Sequence, residues 1–285
     1  MDTVYLNGAY VPAAEAKVSA LDRGFIFGDG VYEVIPAYGG KLFRLDDHLQ
    51  RLENSMQGIR LQNPHSRDEW SSMLNTLVEK HGDGDQSIYL QVTRGVAKRD
   101  HVFPEDSQPT VFAMCNPLTP PSREYLEQGI KAITLDDVRW KHCHIKAITL
   151  LPNILMRQQA AEAGAQEAIL INSDGVVTEG AASNVFIVKD GLLMTPPVEI
   201  SLLPGITRVL VLELAAEHGI PFAEATFGLA DLQSADEIWV SSSTKEVLPV
   251  TALDGKPVGD GKPGQHWHVM IEHYQRYKAS LRNGG

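Results

Sequence analysis

The chain has 285 residues, 43% of them hydrophobic and 21% charged, a globular composition long enough to build two cores. A formal net charge of −11 disfavours a nucleic-acid partner, which would demand a basic face, and favours small molecules. Two cysteines, Cys115 and Cys143, make no disulfide framework, no leader-like segment opens the chain and no apolar run reaches membrane-span length, so the expectation is a cytoplasmic, non-membrane protein.

In chain order, Val31–Ile35 and Lys41–Phe43 flank the turn signal Tyr38-Gly39-Gly40 and read as a hairpin. Leu45, Leu49, Leu52, Met56 and Ile59 then recur at helical spacing, with Asp46 and Asp47 in the first turn where the helix dipole favours carboxylates. His48, Arg51 and Ser55 share a neighbouring face of that helix. A second helix over 67–81 leads to a strand over 87–93, to the charged, proline-bearing loop GVAKRDHVFPEDSQP, and to a strand over 110–114.

The stretch NPLTPPS, residues 116–122, is the best candidate linker, dividing the chain into units of 1–118 and 122–285. Beyond it the pattern gives a helix over 123–129, a strand over 131–138, and helices over 152–163 and 207–218, each closed by glycine. Strands are expected over 167–171, 183–188, 237–241 and 247–253, before a terminal helix outlined by Trp267, Met270, Tyr274 and Leu281. Two α+β units follow, without internal repeats.

The chemistry begins at HCHIKAITLL, residues 142–151, where Lys146 stands before an apolar segment. A lysine so placed is either a snorkelling surface residue or a reagent. His142, Cys143 and His144 offer metal-ligand types, but alternate residues of a strand face opposite ways and no second cluster has zinc-like spacing. There is no G-x-S-x-G elbow, P-loop or G-x-G-x-x-G, and Gly28-Asp29-Gly30 reads as a lone turn.

Two further stretches add weight to Lys146. In VVTEGAASNVF, Glu179 follows a strand-like run and precedes small residues; in LLPGITRVL, Gly205, Ile206 and Thr207 lie at a helix start whose N–H groups can cradle an anion. A lysine, a carboxylate and a phosphate cup suggest pyridoxal 5′-phosphate, with Lys146 on the aldehyde, Glu179 at the pyridine nitrogen, Gly205, Ile206 and Thr207 at the phosphate and Arg51 as a bidentate cation. Taken singly, each has a plainer explanation: a solvated glutamate in a turn, a glycine serving backbone geometry, an arginine in a weak surface pair.

RGFIFGDGVYEV, DHLQRL, IKAITLLPNIL, TEGAASNVF, LLPGITR and VSSSTKEVLPV occur in this order, and together they resemble the class IV, fold-type IV pyridoxal-phosphate aminotransferases, nearest the D-amino acid branch, from about Leu6 to the last helix. The resemblance implies an α+β two-domain fold with the cofactor in the interdomain cleft. It implies Lys146 as the Schiff-base lysine, Glu179 as the pyridinium partner and Leu203 packed under the ring. Arg51, Ile206, Thr207 and Ser243 resemble the phosphate shell.

In TRGVAKRDHVFP, Arg99 and His101, with Tyr32 of GDGVYEV, resemble the trap that holds the substrate α-carboxylate in D-amino acid aminotransferases. A guanidinium beside an imidazole and a phenol makes a directional carboxylate clamp. In that family the Arg and His come from the neighbouring subunit, so a homodimer is implied. The implied reaction passes the amino group of a D-amino acid such as D-alanine to 2-oxoglutarate, giving pyruvate and D-glutamate. Branched-chain L-aminotransferases and aminodeoxychorismate-lyase-like enzymes share the cofactor shell and remain as alternatives, as does a non-catalytic binding protein on the same scaffold. Ala181 and Ala182 stand where relatives often carry hydroxyls, and VYEVIPAY departs from the branched-chain pattern.

Overall fold

The computed structural model describes residues 3–82, 84–199 and 201–282. It separates into two compact units. The first gathers the described residues up to Thr119 together with Ile145–Leu150, Leu281 and Arg282; the second gathers Pro120–His144 and Leu151–Ser280.

The first unit runs β1 (Thr3–Leu6), β2 (Ala9–Pro12), α1 (Arg23–Phe27), β3 (Gly30–Tyr38), β4 (Lys41–Leu42), α2 (Leu45–Gly58), α3 (Arg67–Glu79), β5 (Gln86–Thr93) and β6 (Thr110–Pro117). Its strands form one antiparallel sheet in the order β2-β1-β6-β5-β3-β4, the long β3–β5 and β5–β6 ladders making its centre. Alternation puts Val31 and Ile35 of β3 and Ile88, Leu90 and Val92 of β5 in one core, against Leu49, Leu52 and Met56 of α2 and Leu74 and Leu77 of α3. The helical stripe read from the sequence is thus the face α2 buries. Helix α3 starts at a reciprocal capping box, the Ser66 hydroxyl accepting from Glu69 N and the Glu69 carboxylate from Ser66 N.

The second unit runs α4 (Arg123–Gln128), β7 (Ile130–Asp136), α5 (Leu151–Glu162), β8 (Glu167–Ile171), β9 (Val177–Gly180), β10 (Asn184–Lys189), β11 (Leu192–Thr195), α6 (Ile206–Glu217), β12 (Phe222–Glu224), α7 (Leu229–Gln233), β13 (Glu237–Ser242), β14 (Glu246–Leu253), β15 (Lys256–Pro257) and α8 (Gln265–Arg282). Its mixed sheet has the order β12-β11-β10-β13-β14-β7-β8-β9, with β15 on β14. Strand β7 lies parallel to both β14 and β8, so each join needs a crossover, and α5 lies in the one between β7 and β8. Ile130, Ile169, Val185, Ile187, Ile238, Val240, Leu248 and Val250 fill the core.

Three differences from the sequence expectations, and one further feature, bear on function. RGFIF is a helix, α1, capped by the Asp22 carboxylate on Gly24 N and stopped by Gly28 in the left-handed region, so GDG is its exit rather than a lone turn. Glu179 lies inside β9 rather than in a turn. The segment 145–150 groups with the first unit, although it follows the linker in sequence. It is stitched to β3: Tyr32 N donates to Lys146 O at 3.0 Å, Ile148 N to Gly30 O at 3.1 Å, and Val31 bridges Ala147. Finally, the loop after β5 is tied down at its base, where Arg23 N donates to Gly95 O at 2.9 Å and Gly95 has φ of +89°.

A side chain at position 95 would set its Cβ 1.8 Å from the Gln108 carbonyl oxygen, a backbone atom that cannot swing aside. Gly95→Ala is therefore expected to destabilise the protein by more than about 1 kcal/mol, measured by urea unfolding, since both the dihedral and the space oppose it.

Candidate active site

Helix α2 and strand β3 bring a carboxylate, a guanidinium and an imidazole together inside the first unit. Glu33 is fully buried and accepts Arg51 Nε at 2.8 Å on Oε1 and Arg51 Nη2 at 2.7 Å on Oε2. His48, one turn earlier on α2, places Nδ1 2.7 Å from the same Oε2. Sequence reasoning singled out Arg51 as a phosphate cation; the structure also fixes it in a bidentate fork whose acceptor, Glu33, carries no motif signal. Burial pushes the Glu33 carboxyl up, but Arg51, with His48, outweighs it and holds the group well below the usual carboxylate range. His48 is depressed below its ordinary value, chiefly by burial.

Lys146 is half-buried, and its backbone is held from both sides, Lys146 N donating to Ser55 Oγ at 3.1 Å and Lys146 O accepting from Tyr32 N. Its Nζ stands 4.3 Å from the centroid of the Tyr32 ring, which in turn stacks on Tyr89. The structure thus joins Lys146 to Tyr32. Arg99 and His101 share a different aromatic face: the Arg99 guanidinium lies 5.4 Å from the centroid of Phe27, as does the His101 ring, and both residues are exposed.

In the second unit, β9 and the turn before α6 organise a buried carboxylate. Glu179 is 5% exposed. Its Oε2 accepts Leu203 N at 3.1 Å and Asn184 Nδ2 at 3.4 Å, and its Oε1 pairs with Arg139. Arg139 is itself gripped by Asp137, through Nε at 2.9 Å and Nη2 at 2.8 Å, and Thr178 Oγ1 donates to Asp137 at 2.8 Å. Burial holds the Glu179 carboxyl above its ordinary range, and Arg139, with the Leu203 N–H, opposes that rise without cancelling it. Sequence reasoning named Glu179 and Leu203 but missed Arg139 and Asp137; WKHCHIK drew attention to its histidines, whereas the arginine just before it makes the contact.

Ile206 and Thr207 are buried in the first turn of α6, whose N-cap is Gly205 and has no side-chain cap, leaving the first-turn N–H groups for a ligand. A Cβ at 205 would sit 1.9 Å from Asn184 Oδ1, so the missing side chain is what admits Asn184, the residue that also bonds Leu203 O and Glu179. Ser243 is half-buried in the turn between β13 and β14. That turn is anchored by Lys245, whose Nζ lies 2.5 Å from the buried Glu167 carboxylate. An uncapped helix start beside a buried, arginine-supported carboxylate fits the phosphate and the pyridine nitrogen of pyridoxal 5′-phosphate.

The remaining sequence candidates resolve simply. Cys143 donates to Trp140 O at 3.0 Å, and burial pushes its thiol up to about 11, the opposite of an activated nucleophile. Among the described residues no group of three or more His, Cys, Asp or Glu is placed to hold a metal ion, and no helix is long and apolar enough to cross a membrane.

Comparison with known proteins agrees with this chemistry. The family Amino-transferase class IV matches residues 30–253. D-alanine aminotransferase of Staphylococcus aureus (strain COL) is 41% identical over 281 residues, covering 98% of this chain and 99% of the relative. Among solved structures, the branched-chain amino acid aminotransferase of Escherichia coli superposes with a TM-score of 0.90 at 30% identity, covering 99% of this chain and 95% of that one. A hypothetical aminotransferase from Mycobacterium tuberculosis, in its PLP-bound form, gives 0.84 at 25%, covering 98% of both chains. The chain therefore belongs to the class IV aminotransferases. It has their α+β architecture, and its cofactor is pyridoxal 5′-phosphate.

Two outcomes follow from the buried charges. Glu33 and His48 both have folded values below their unfolded ones, so each contributes stability that is complete above the unfolded value and lost as pH falls. Urea midpoints should decline from about pH 6.5 downward, and Glu33→Gln should cost about 3–5 kcal/mol at pH 7 and flatten the acid limb. Arg139→Met strands Glu179 without its cation; the expected result is about a 10–100-fold loss in cofactor affinity, followed by absorbance during dialysis, while Arg139→Lys loses less.

Proposed function

We propose that this chain is a D-amino acid aminotransferase, which moves the amino group of a D-amino acid such as D-alanine to 2-oxoglutarate and yields pyruvate and D-glutamate. The observation that carries the reading is the near-complete coverage by a D-alanine aminotransferase at 41% identity, in a chain that also bears Lys146, Glu179 and the Arg99–His101 loop. The first unit serves the substrate carboxylate and the second the cofactor's ring and phosphate, while Lys146 is contributed by the segment that groups with the first unit.

Bound pyridoxal 5′-phosphate supplies the electron sink that stabilises charge at the substrate Cα. Lys146 would hold the cofactor through Nζ and, as a free amine, would move the proton at the substrate Cα. Its position over the Tyr32 ring keeps the amine beside a phenol that also faces the substrate carboxylate. Glu179, paired with Arg139 and bonded by Leu203 N, would face the pyridine nitrogen and favour its protonated form, and Leu203 would pack against the ring. Ile206 and Thr207 at the start of α6, with Arg51 and Ser243, hold the phosphate. Arg99 and His101 grip the α-carboxylate of amino acid and 2-oxo acid alike, which lets one site serve both half-reactions.

The working unit is a homodimer in which Arg99 and His101 reach the partner's site. Supporting this, Val18, Leu21, Phe25, Val96, Val102 and Phe103 of the first unit are large apolar residues left exposed, and they bracket the loop that carries the two residues. Free Cys115 and Cys143 suit the reducing cytoplasm. A branched-chain L-aminotransferase is the second reading, favoured by the likeness to the Escherichia coli structure.

Borohydride reduction should fix the cofactor to Lys146, as read by peptide mass, and Lys146→Ala should reduce D-alanine:2-oxoglutarate turnover by at least about 1,000-fold. Comparing D-alanine with L-leucine as donors decides between the two readings: L-leucine turnover with D-alanine idle would replace the first by the second.

A further inference from the structure

We propose that Asp29 moors the segment 94–103 and so acts as a positioning residue for Arg99 and His101, an inference that rests on the carboxylate-clamp reading of those two side chains. Asp29 leaves α1 in the GDG turn and gathers two guanidinium groups on one carboxylate: Arg23 Nε at 2.8 Å and Arg94 Nε at 2.8 Å on Oδ2, and Arg94 Nη2 at 3.0 Å on Oδ1. Both arginines are buried, with side chains 4% and 6% exposed, and Asp29 is 12% exposed. The backbone joins in, since Arg94 N donates to Asp29 O at 3.0 Å.

Each arginine directs further donors to backbone. Arg23 Nη1 reaches Asp100 O at 2.6 Å and Val102 O at 3.4 Å, the two carbonyls that flank His101. Arg94 reaches Ile59 O at 2.7 Å and Arg60 O at 3.1 Å beyond the end of α2, and its guanidinium lies 3.8 Å from the centroid of Phe103. Phe27, one turn along α1 from Arg23, takes the Arg23 guanidinium at 4.8 Å on the ring that also meets Arg99 and His101. A second carboxylate secures the feet of the loop: Asp22 accepts Thr93 Oγ1 at 2.8 Å and Thr110 Oγ1 at 2.6 Å.

The electrostatic consequence is selective. Burial works to raise the Asp29 carboxyl, but Arg94 and Arg23 hold it below the ordinary range, so it stays an anion and neutralises part of the local positive charge. Arg23 and Arg94 are engaged by Asp29 and by backbone carbonyls, whereas Arg99 is exposed and, among the described residues, meets a ring rather than a carboxylate. Without Asp29 the loop would lose its fixed point, and two buried cations would compete for the substrate anion.

The test uses the holoenzyme of wild type, Asp29→Asn, Arg23→Gln and Arg99→Ala. Trypsin cleavage after Lys98, in the absence of substrate, should accelerate about tenfold in Asp29→Asn, with KM for D-alanine and 2-oxoglutarate raised about 10–100-fold, kcat within about threefold and the cofactor absorbance spectrum unchanged. Arg23→Gln should show the same pattern more weakly and carries the test if Asp29→Asn does not fold. Wild-type cleavage rates in both variants, or unchanged KM in both while Arg99→Ala raises it, would overturn the mooring. Unchanged KM in Arg99→Ala would instead remove the clamp reading, and the inference with it.

Discussion

A carboxylate taken out of water keeps its charge only where a cation is buried beside it. This constraint bears on three carboxylates close to the candidate site residues, Glu33 with Arg51, Glu179 with Arg139, and Asp29 with Arg23 and Arg94, and elsewhere on Glu167 with Lys245 and Glu246 with Lys278. At the first three a guanidinium supplies the charge and bonds the carboxylate through Nε, Nη or both, and Arg139, Arg23 and Arg94 turn other donors to neighbouring groups as well. Net stabilisation is a poor account of such pairs, because desolvation offsets much of the attraction. What they provide is fixed geometry: a carboxylate that cannot turn, and side chains on either side that cannot drift.

The two units use the device differently. In the first, Glu33 ties strand β3 to helix α2, and Ser55 on the same helix holds Lys146 N, so Lys146 and the Arg51 fork share one support. In the second, Glu179 receives Arg139 from one side and Leu203 N from the other, so the turn before α6 is fastened to β9 through a single carboxylate. The class IV scaffold is common to enzymes of different substrate preference, as the TM-score of 0.90 at 30% identity illustrates. On a shared scaffold substrate choice is carried by the loops, and the proposed carboxylate clamp lies on the segment between β5 and β6.

Much of this was legible in the sequence, and the reasons for the gaps are physical. The stripe from Leu45 to Ile59 gave α2 and its buried face, because helical periodicity is a local signal. Lys146, Glu179, Thr207 and the R-x-H spacing of Arg99 and His101 stood out through ordered motifs. Their partners did not: Arg51 meets Glu33 across 18 residues, Arg139 meets Glu179 across 40 and Arg94 meets Asp29 across 65, and no periodicity encodes such meetings. The strands left out were short or half-exposed, such as β2 with its terminal proline and the three-residue β12, which exist because a neighbour offers its edge. Glu179 looked like a turn residue because glycine and alanines follow it; the ladder with β8 makes it a strand.

The stitching of Lys146 has a consequence for how its amine works. With the peptide N–H on Ser55 and the peptide oxygen on Tyr32, the shoulder of this arm is immobile, and only the methylene chain swings. In the proposed role of Lys146 a fixed pivot would confine its nitrogen to one arc, which starts over an aromatic plate. The side from which such an amine would approach a flat ligand is then a matter of where the pivot was set during folding.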